Sequence, residues 1–324
     1  ERVLNGPFGH TVEAFEIGNE FPSWVAGHNI PVLEDSVDFA MITRNFSVWI
    51  DEAIQSSGSE HIPSILAQAA FVLFGPRGNR VLLEALFDEG LANEYPHVES
   101  LEHAYRAIDG VTVHSYPLTP WSADELGLEN LNRDIALFMR WQSAFDAYSD
   151  RSGIIKPDLF RAVTEWNTRN LAMNNGLVEG IQGATGTLAG FYHLVRNDVD
   201  QMHVWPVLQN STNALIDSVD FELSMNFNGA AFSILESNVV GLRAHQGRSH
   251  YDVDGDGQFD IIAQLYTSEE KAVLIVASIS NSAKDFVINF PIEIFDSTGS
   301  AWTSFSLLST EADATDVLGD PVIH

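Results

Sequence analysis

The feature that most constrains the fold is an alternation of short apolar runs with longer stretches of helical period, which continues to about residue 246. Apolar residues recur at three- or four-residue spacing in the longer stretches, as in the aromatic series that starts at Phe138. Such alternation predicts βα units around a parallel sheet. The expected strands are residues 12–17, 65–71, 111–116, 160–165 and 202–208, and the expected helices include residues 39–53, 138–148, 177–195 and 229–244.

The pattern changes after residue 246 to segments of period two, which is typical of antiparallel strands. We therefore expect two domains, a barrel part at 1–246 and a small antiparallel, sandwich-like β domain at 247–324. The expected strands of this domain are residues 259–266, 272–280, 285–290 and 302–308.

The charge of the chain argues against two classes of partner. Its 45 acidic and 16 basic residues give a formal charge of -29, which repels nucleic acid phosphates and anionic membranes. We expect neither as a partner. Cysteine is absent, so disulfides, thiolate metal sites and a cysteine nucleophile are excluded.

Two glutamates lie at the carboxyl-terminal ends of predicted strands. Glu20 ends the segment 16–20, Glu-Ile-Gly-Asn-Glu, and Glu165 lies in the segment 164–167, Thr-Glu-Trp-Asn. Strand alternation predicts that both side chains point into the barrel at its carboxyl-terminal mouth. Two such carboxyl groups hydrolyse a glycosidic bond with retention when they lie about 5 to 5.5 Å apart, and with inversion when they lie further apart. The residues alone leave this choice open.

These motifs resemble clan A of the glycoside hydrolases, which are retaining (β/α)8 barrels. In the clan, an acid/base glutamate follows an asparagine at strand four, and a nucleophilic glutamate ends strand seven. The resemblance implies that Glu20 is the acid/base and Glu165 the nucleophile, with no cofactor for catalysis. It also implies that Tyr116 approaches the nucleophile and that Trp205 is a sugar-stacking platform. The candidate substrate-binding residues are Asn19, Trp24, His114, Tyr116, Asn167 and Trp205.

Within the clan, the chain is most similar to family 86, the β-agarases and β-porphyranases. This similarity rests on the two glutamate motifs together with residues 203–210, His-Val-Trp-Pro-Val-Leu-Gln-Asn. It implies a secreted, endo-acting enzyme that hydrolyses a β-linked galactan, with the polysaccharide as its partner and the signal peptide not present in this chain. The alternatives are an exo-acting arabinofuranosidase or xylosidase of the same clan, and a non-catalytic carbohydrate-binding or inactive barrel.

Few residues precede the strand that leads to Glu20. A complete barrel would have three βα units there, on the order of 100 residues, since the whole fold takes about 250. We therefore expect the chain to hold only strands four to eight of a (β/α)8 TIM barrel, as an N-terminally truncated fragment.

An acidic segment at the start of the β domain predicts a structural Ca²⁺ site. Carboxylates alternate along a loop turned by two glycines, and such oxygen ligands suit a hard cation. Ala263 stands where an EF-hand has its last glutamate, so the loop departs from that motif. The expected ligands are Asp252, Asp254, Asp256, Gln258 and Asp260.

Overall fold

The computed structural model describes residues 3–21, 35–70, 78–95, 97–116, 125–167, 180–208, 214–219, 222–255 and 260–278. The chain divides into two compact units. The first comprises Glu1–His114, Arg133–Glu165 and Val199–His203, and the second comprises Ser115–Asn132, Trp166–Asp198 and Val204–His324. The domain boundary predicted after residue 246 stays a prediction.

The main sheet contains the five predicted strands in chain order. Its strands are β1 (Ala14–Ile17), β2 (Ser64–Gln68), β3 (Gly110–Ser115), β4 (Phe160–Trp166) and β5 (Gln201–Val204). β1 pairs parallel to β2, and β2 pairs parallel to β3. Five parallel strands with helices between them correspond to part of a (β/α) barrel, as the alternation predicts.

Seven α-helices lie in the described part of the chain, and the four predicted ones are among them. They are α1 (Ser36–Ser57), α2 (Asn79–Leu86), α3 (Leu91–Glu94), α4 (Leu101–Ala107), α5 (Glu125–Ser152), α6 (Gly180–Val195) and α7 (Phe227–Val239). α1 begins where the Asp35 side chain accepts from two backbone N–H groups, and ends at Gly58 in the left-handed region. Sequence periodicity missed the short helices α2, α3 and α4.

In the first unit, α1 turns a different face inward from the one predicted. Phe39 is buried, but Phe46 and Trp49 are about half exposed. The reason is Arg44, which is fully buried and donates to the backbone carbonyls of Ala85, Leu86 and Asp88 at the end of α2. This side chain fixes the rotation of α1 about its axis. The aromatic stripe of α5 is buried as predicted.

The second unit contains a hairpin of β6 (Ile216–Val219) and β7 (Glu222–Met225), which the sequence did not predict, and an antiparallel sheet. In that sheet, β10 (Ile261–Thr267) pairs with β11 (Ala272–Ser278) and with two short strands, β8 (Arg243–Ala244) and β9 (His250–Tyr251).

The predicted helix 229–244 is wrong at its end, because α7 stops at Val239 and residues 243–244 form β8. The antiparallel sheet packs on α6 and α7 through buried residues that include Leu188, Ile234, Tyr266 and Ile275. The predicted strands 285–290 and 302–308 lie outside the described residues, so a second sheet stays a prediction. None of the described helices has both the length and the apolar character of a membrane span.

Candidate active site

The candidate active site lies in the first unit, at the carboxyl ends of three strands. It contains Glu20, which follows β1, together with His114 near the end of β3 and Glu165 near the end of β4. The Nδ1 atom of His114 lies 3.1 Å from Oε1 of Glu20 and 3.3 Å from Oε2 of Glu165. A carboxylate oxygen of one glutamate lies within 4.8 Å of one from the other. His114 is buried, whereas the Glu20 and Glu165 side chains are 33% and 24% exposed. Two partly solvated carboxyl groups thus face each other across one edge of a buried imidazole.

A turn rather than a strand presents Glu20 to this site. β1 ends at Ile17, after which Gly18 has a φ of 110° and Glu20 a φ of 49°. The alternation argument for Glu20 is therefore wrong, because the left-handed backbone of Gly18 redirects the chain before the glutamate. The next residue, Phe21, is buried and stacks on the ring of Phe39 at 4.5 Å between centroids.

At the end of β4, two adjacent side chains reach the same cluster. Glu165 approaches His114, and the hydroxyl of Thr164 lies 2.6 Å from that of Thr112. Strict alternation, which assigns neighbouring residues to opposite faces, does not hold here. Glu165 is one residue from the end of β4, and its Oε2 atom lies 3.3 Å from Nδ1 of His114.

A second polar layer lies beneath the pair of glutamates. Oε1 of Glu16 accepts from Nε2 of Gln68 at 3.2 Å and from the hydroxyl of Thr112 at 2.9 Å, and it lies 3.7 Å from Nε2 of His114. Nε2 of Gln68 is also 3.3 Å from Nε2 of His114. The sequence analysis missed Gln68, Thr112 and Thr164. The available signal was that each is a polar residue inside a predicted strand.

Charges in this layer shift two pKa values in opposite directions. Burial alone would raise the pKa of Glu16, but hydrogen bonds with His114, Thr112 and Thr164 outweigh it and lower that pKa. Burial alone would lower the pKa of His114, but hydrogen bonds with Glu16 and Glu20 and the charge of Glu165 outweigh it and raise that pKa. Glu16 is therefore favoured as an anion, and His114 is favoured as a cation over a wider pH range than an ordinary histidine.

The other predicted substrate-binding residues are distributed along the chain. Asn19 is exposed in the turn before Glu20. In the second unit, the Tyr116 ring is edge-on to that of Trp205 at 6.3 Å, and Trp205 is 44% exposed. Asn167 is buried, and its backbone N–H donates to Ser115. Trp24 lies outside the described residues, and the roles of all these residues stay predictions.

The acidic loop brings together three of its five predicted ligands. Carboxylate oxygens of Asp252, Asp254 and Asp260 lie within 4.8 Å of one another. Asp260 also accepts from the backbone N–H of Val253 at 2.8 Å, which curls the loop back on itself. This set of oxygens fits a hard cation such as Ca²⁺. Asp256 and Gln258 lie outside the described residues, and calcium binding stays a prediction.

Comparison with solved structures places the fold among known ones. AbfB, a family 51 α-L-arabinofuranosidase from Bifidobacterium longum, matches with a TM-score of 0.55 and 15% identity over 83% of this chain and 54% of that one. An α-L-arabinofuranosidase from Thermotoga maritima, in complex with arabinose, matches with a TM-score of 0.52 and 14% identity over 81% of this chain and 51% of that one. Neither a protein-family model nor a curated protein sequence matches the chain.

The likeness to these two structures is one of fold, since the identities are low. The chain spans about half the length of either protein. The fold and the geometry of the site together define part of a (β/α) barrel with two glutamates at the carboxyl ends of its strands.

Proposed function

We propose that the protein is a retaining glycoside hydrolase of clan A, with Glu20 as general acid/base and Glu165 as nucleophile. The observation that carries the proposal is the approach of the two carboxylates to within 4.8 Å beside His114. Inverting enzymes need about 6.5 to 9.5 Å between these groups to admit a water molecule. The likeness in fold to two glycosidases supports the proposal.

In this mechanism, the ionised carboxylate of Glu165 attacks the anomeric carbon while Glu20 donates a proton to the departing glycosidic oxygen. The C–O bond to the leaving sugar breaks as an ester bond forms to Glu165. Glu20, now a carboxylate, then removes a proton from water, and the water oxygen displaces Glu165 from the anomeric carbon. Two inversions give net retention, and the last step returns the proton to Glu20.

For the substrate, we propose a β-linked galactan of the agarose or porphyran type, cleaved by endo attack by a secreted enzyme. The resemblance of residues 203–210 to family 86 supports this choice. The half-exposed ring of Trp205, beside Tyr116, is suited to stacking on the apolar face of galactose. Neutral agarose fits a chain of charge -29 better than sulfated porphyran does.

An exo-acting α-L-arabinofuranosidase is the second candidate, and one observation favours it. Both solved structures reported above are α-L-arabinofuranosidases. The two candidates share the double-displacement mechanism and differ in the sugar that occupies the site. Release of oligosaccharides from agarose or porphyran, with little hydrolysis of aryl arabinofuranosides or xylosides, supports the galactanase. The reverse preference supports the arabinofuranosidase or a xylosidase.

Azide rescue in the full-length protein tests the roles of the glutamates. We expect Glu165→Ala and Glu20→Ala each to lower kcat by roughly 1,000-fold or more, as loss of a nucleophile or its proton-transfer partner does in other hydrolases. Azide should then give a glycosyl azide of inverted configuration with Glu165→Ala, and one of retained configuration with Glu20→Ala. Glu52→Ala, which removes an exposed glutamate of α1, is the matched control and should keep full activity.

Two outcomes would count against these assignments. Exchanged configurations of the azide products would exchange the roles of Glu20 and Glu165. Unchanged turnover in either variant, on a substrate that the wild type hydrolyses, would refute the two-glutamate mechanism.

A further inference from the structure

Gln68 ends β2 and is almost fully buried beside the candidate active site. Its side-chain amide lies among three polar groups. Oε1 accepts from the backbone N–H of Phe21 at 3.4 Å. Nε2 donates to Glu16 at 3.2 Å and lies 3.3 Å from Nε2 of His114. The amide of Gln68 thus contacts the turn that carries Glu20, the carboxylate of Glu16 and the imidazole of His114.

Two of these contacts determine which way the amide points. A carboxylate only accepts hydrogen bonds, and a backbone N–H only donates them. If the amide were reversed, its oxygen would face the Glu16 carboxylate and its NH₂ group would face the Phe21 N–H, and both contacts would be repulsive. The low pKa of Glu16 keeps this side chain an acceptor. The NH₂ group of Gln68 therefore faces His114.

The orientation of the Gln68 amide affects the tautomer of His114, because a neutral imidazole carries one proton on either of its nitrogens. The NH₂ donor of Gln68 lies 3.3 Å from Nε2 of His114, closer than the Glu16 carboxylate at 3.7 Å, so Nε2 of the neutral ring is the acceptor and the proton belongs on Nδ1. We propose that Gln68 is a positioning residue that holds neutral His114 in the tautomer protonated at Nδ1, facing Glu20 and Glu165. The consequences for turnover rest on the proposed function, whereas the tautomer itself does not.

In the proposed reaction, only this tautomer serves both glutamates. A proton on Nδ1 is donated to the carboxylates at 3.1 and 3.3 Å, which stabilises the anionic nucleophile and the anion that Glu20 becomes. With the other tautomer, the lone pair of Nδ1 would face Glu165. It would also accept the acidic proton of Glu20 and turn it away from the leaving oxygen. Loss of Gln68 should therefore affect kcat more than KM.

Gln68 also affects the pH at which the neutral ring of His114 takes up a second proton. The carboxylates facing the ring are Glu16 near Nε2, and Glu20 and Glu165 near Nδ1, and all three favour the cation. The amide of Gln68 opposes it, because a protonated Nε2 would face the NH₂ donor. Removing the amide should thus move the titration of His114 to higher pH.

The test is an NMR measurement of histidine ring nitrogens in the full chain labelled with ¹⁵N-histidine. His114 is assigned by the signals that disappear in His114→Gln. Above the pH at which His114 loses its second proton, the wild type should show a protonated Nδ1 and an unprotonated Nε2. In Gln68→Met, which is similar in length and lacks the donor, the Nε2-protonated form should become populated and the titration midpoint should rise. Gln264→Met is the matched control, because Gln264 is equally buried and donates to Leu188 in the second unit.

A wild-type spectrum with the proton on Nε2 would overturn the inference, even if Gln68→Met failed to fold. A Gln68→Met spectrum identical to the wild type, or a change of equal size in Gln264→Met, would also overturn it. In the active protein, Gln68→Met should lower kcat by about 10- to 100-fold, the range known for residues that fix the tautomer of metal-binding histidines, with KM nearly unchanged. Failure to find any glycosidase activity would refute the proposed function and leave the tautomer measurement to decide this inference.

Discussion

Substitution of Gly18 by alanine tests how the turn before Glu20 is built. Gly18 has a φ of 110°, and an added Cβ would lie 2.7 Å from the Cζ atom of Phe39 and 3.3 Å from Cβ of Gln68. The backbone conformation alone costs roughly 1–3 kcal/mol for a residue with a side chain. Displacing the Phe39 ring, which is stacked on Phe21, adds about 1–3 kcal/mol of overpacking. We expect Gly18→Ala to lower the free energy of unfolding by about 2–6 kcal/mol.

Gly58→Ala is the matched control, because Gly58 lies in the same unit with a φ of 69° and no atom within 4 Å of an added Cβ. It should cost only about 1 kcal/mol, since the left-handed backbone is its single penalty. Urea unfolding of both variants, followed by tryptophan fluorescence, measures the difference. Phe39→Leu should recover part of the loss in Gly18→Ala and none in Gly58→Ala. Equal losses in the two alanine variants would refute the packing argument.

Three further expectations concern stability. Burial, followed by the charge of Arg196, lowers the pKa values of His193 and His250 to about 4. Because the unfolded chain takes up these protons below about pH 6.5 and the folded one does not until about pH 4, unfolding free energy should fall across this interval, by roughly 3 kcal/mol per histidine. Urea unfolding at pH 7 and pH 4.5 measures this fall in the wild type and in a variant with both histidines replaced by glutamine. An equal fall in the unfolding free energy of the two proteins would contradict the expectation. Calcium should raise the melting temperature and a chelator should lower it, by an amount equivalent to about 2.7 kcal/mol at a hundredfold excess over Kd. Asp260→Asn should remove the response, and identical wild-type melting curves would eliminate the site. Arg44→Met should lower the unfolding free energy by about 3 kcal/mol, because buried carbonyls at the end of α2 lose their donor. A loss below about 1 kcal/mol in urea would mean that those carbonyls find other donors.

The sequence predicts the strands and long helices well, because their signals are local. Short apolar or β-branched runs mark β1 to β5, and the aromatic spacing of α5 corresponds to its buried face. The approach of Glu20 to Glu165 follows from placing each at a strand end, since parallel strands end at one edge of the sheet. The error on α1 has a nonlocal cause: Arg44 binds carbonyls about 40 residues away, and this contact overrides the apolar period.

The polar layer beneath the glutamates is not predictable in this way. Gln68, Thr112 and Thr164 are polar residues within predicted strands, and nothing local distinguishes a surface position from a buried one. Their role depends on register, which pairs Gln68 with Thr112 between β2 and β3. Glu16 is paired in register with Leu66, and its carboxylate reaches Gln68 and Thr112 only once the three strands are assembled into the sheet.

The turn at residues 18–21 explains how Glu20 keeps a defined position after its strand has ended. A glutamate with a φ of 49° is strained by roughly 1 kcal/mol, so the turn needs support from its neighbours. Phe21 supplies it on one side by stacking on Phe39, and Gln68 supplies it on the other by accepting from the Phe21 N–H. The same amide faces His114, whose opposite nitrogen contacts Glu20. Gln68 therefore supports Glu20 in two ways: it accepts from the backbone N–H of the next residue, and it faces the histidine that contacts the Glu20 carboxylate. Removal of Gln68 should accordingly disturb the protonation of the site before it disturbs the sheet.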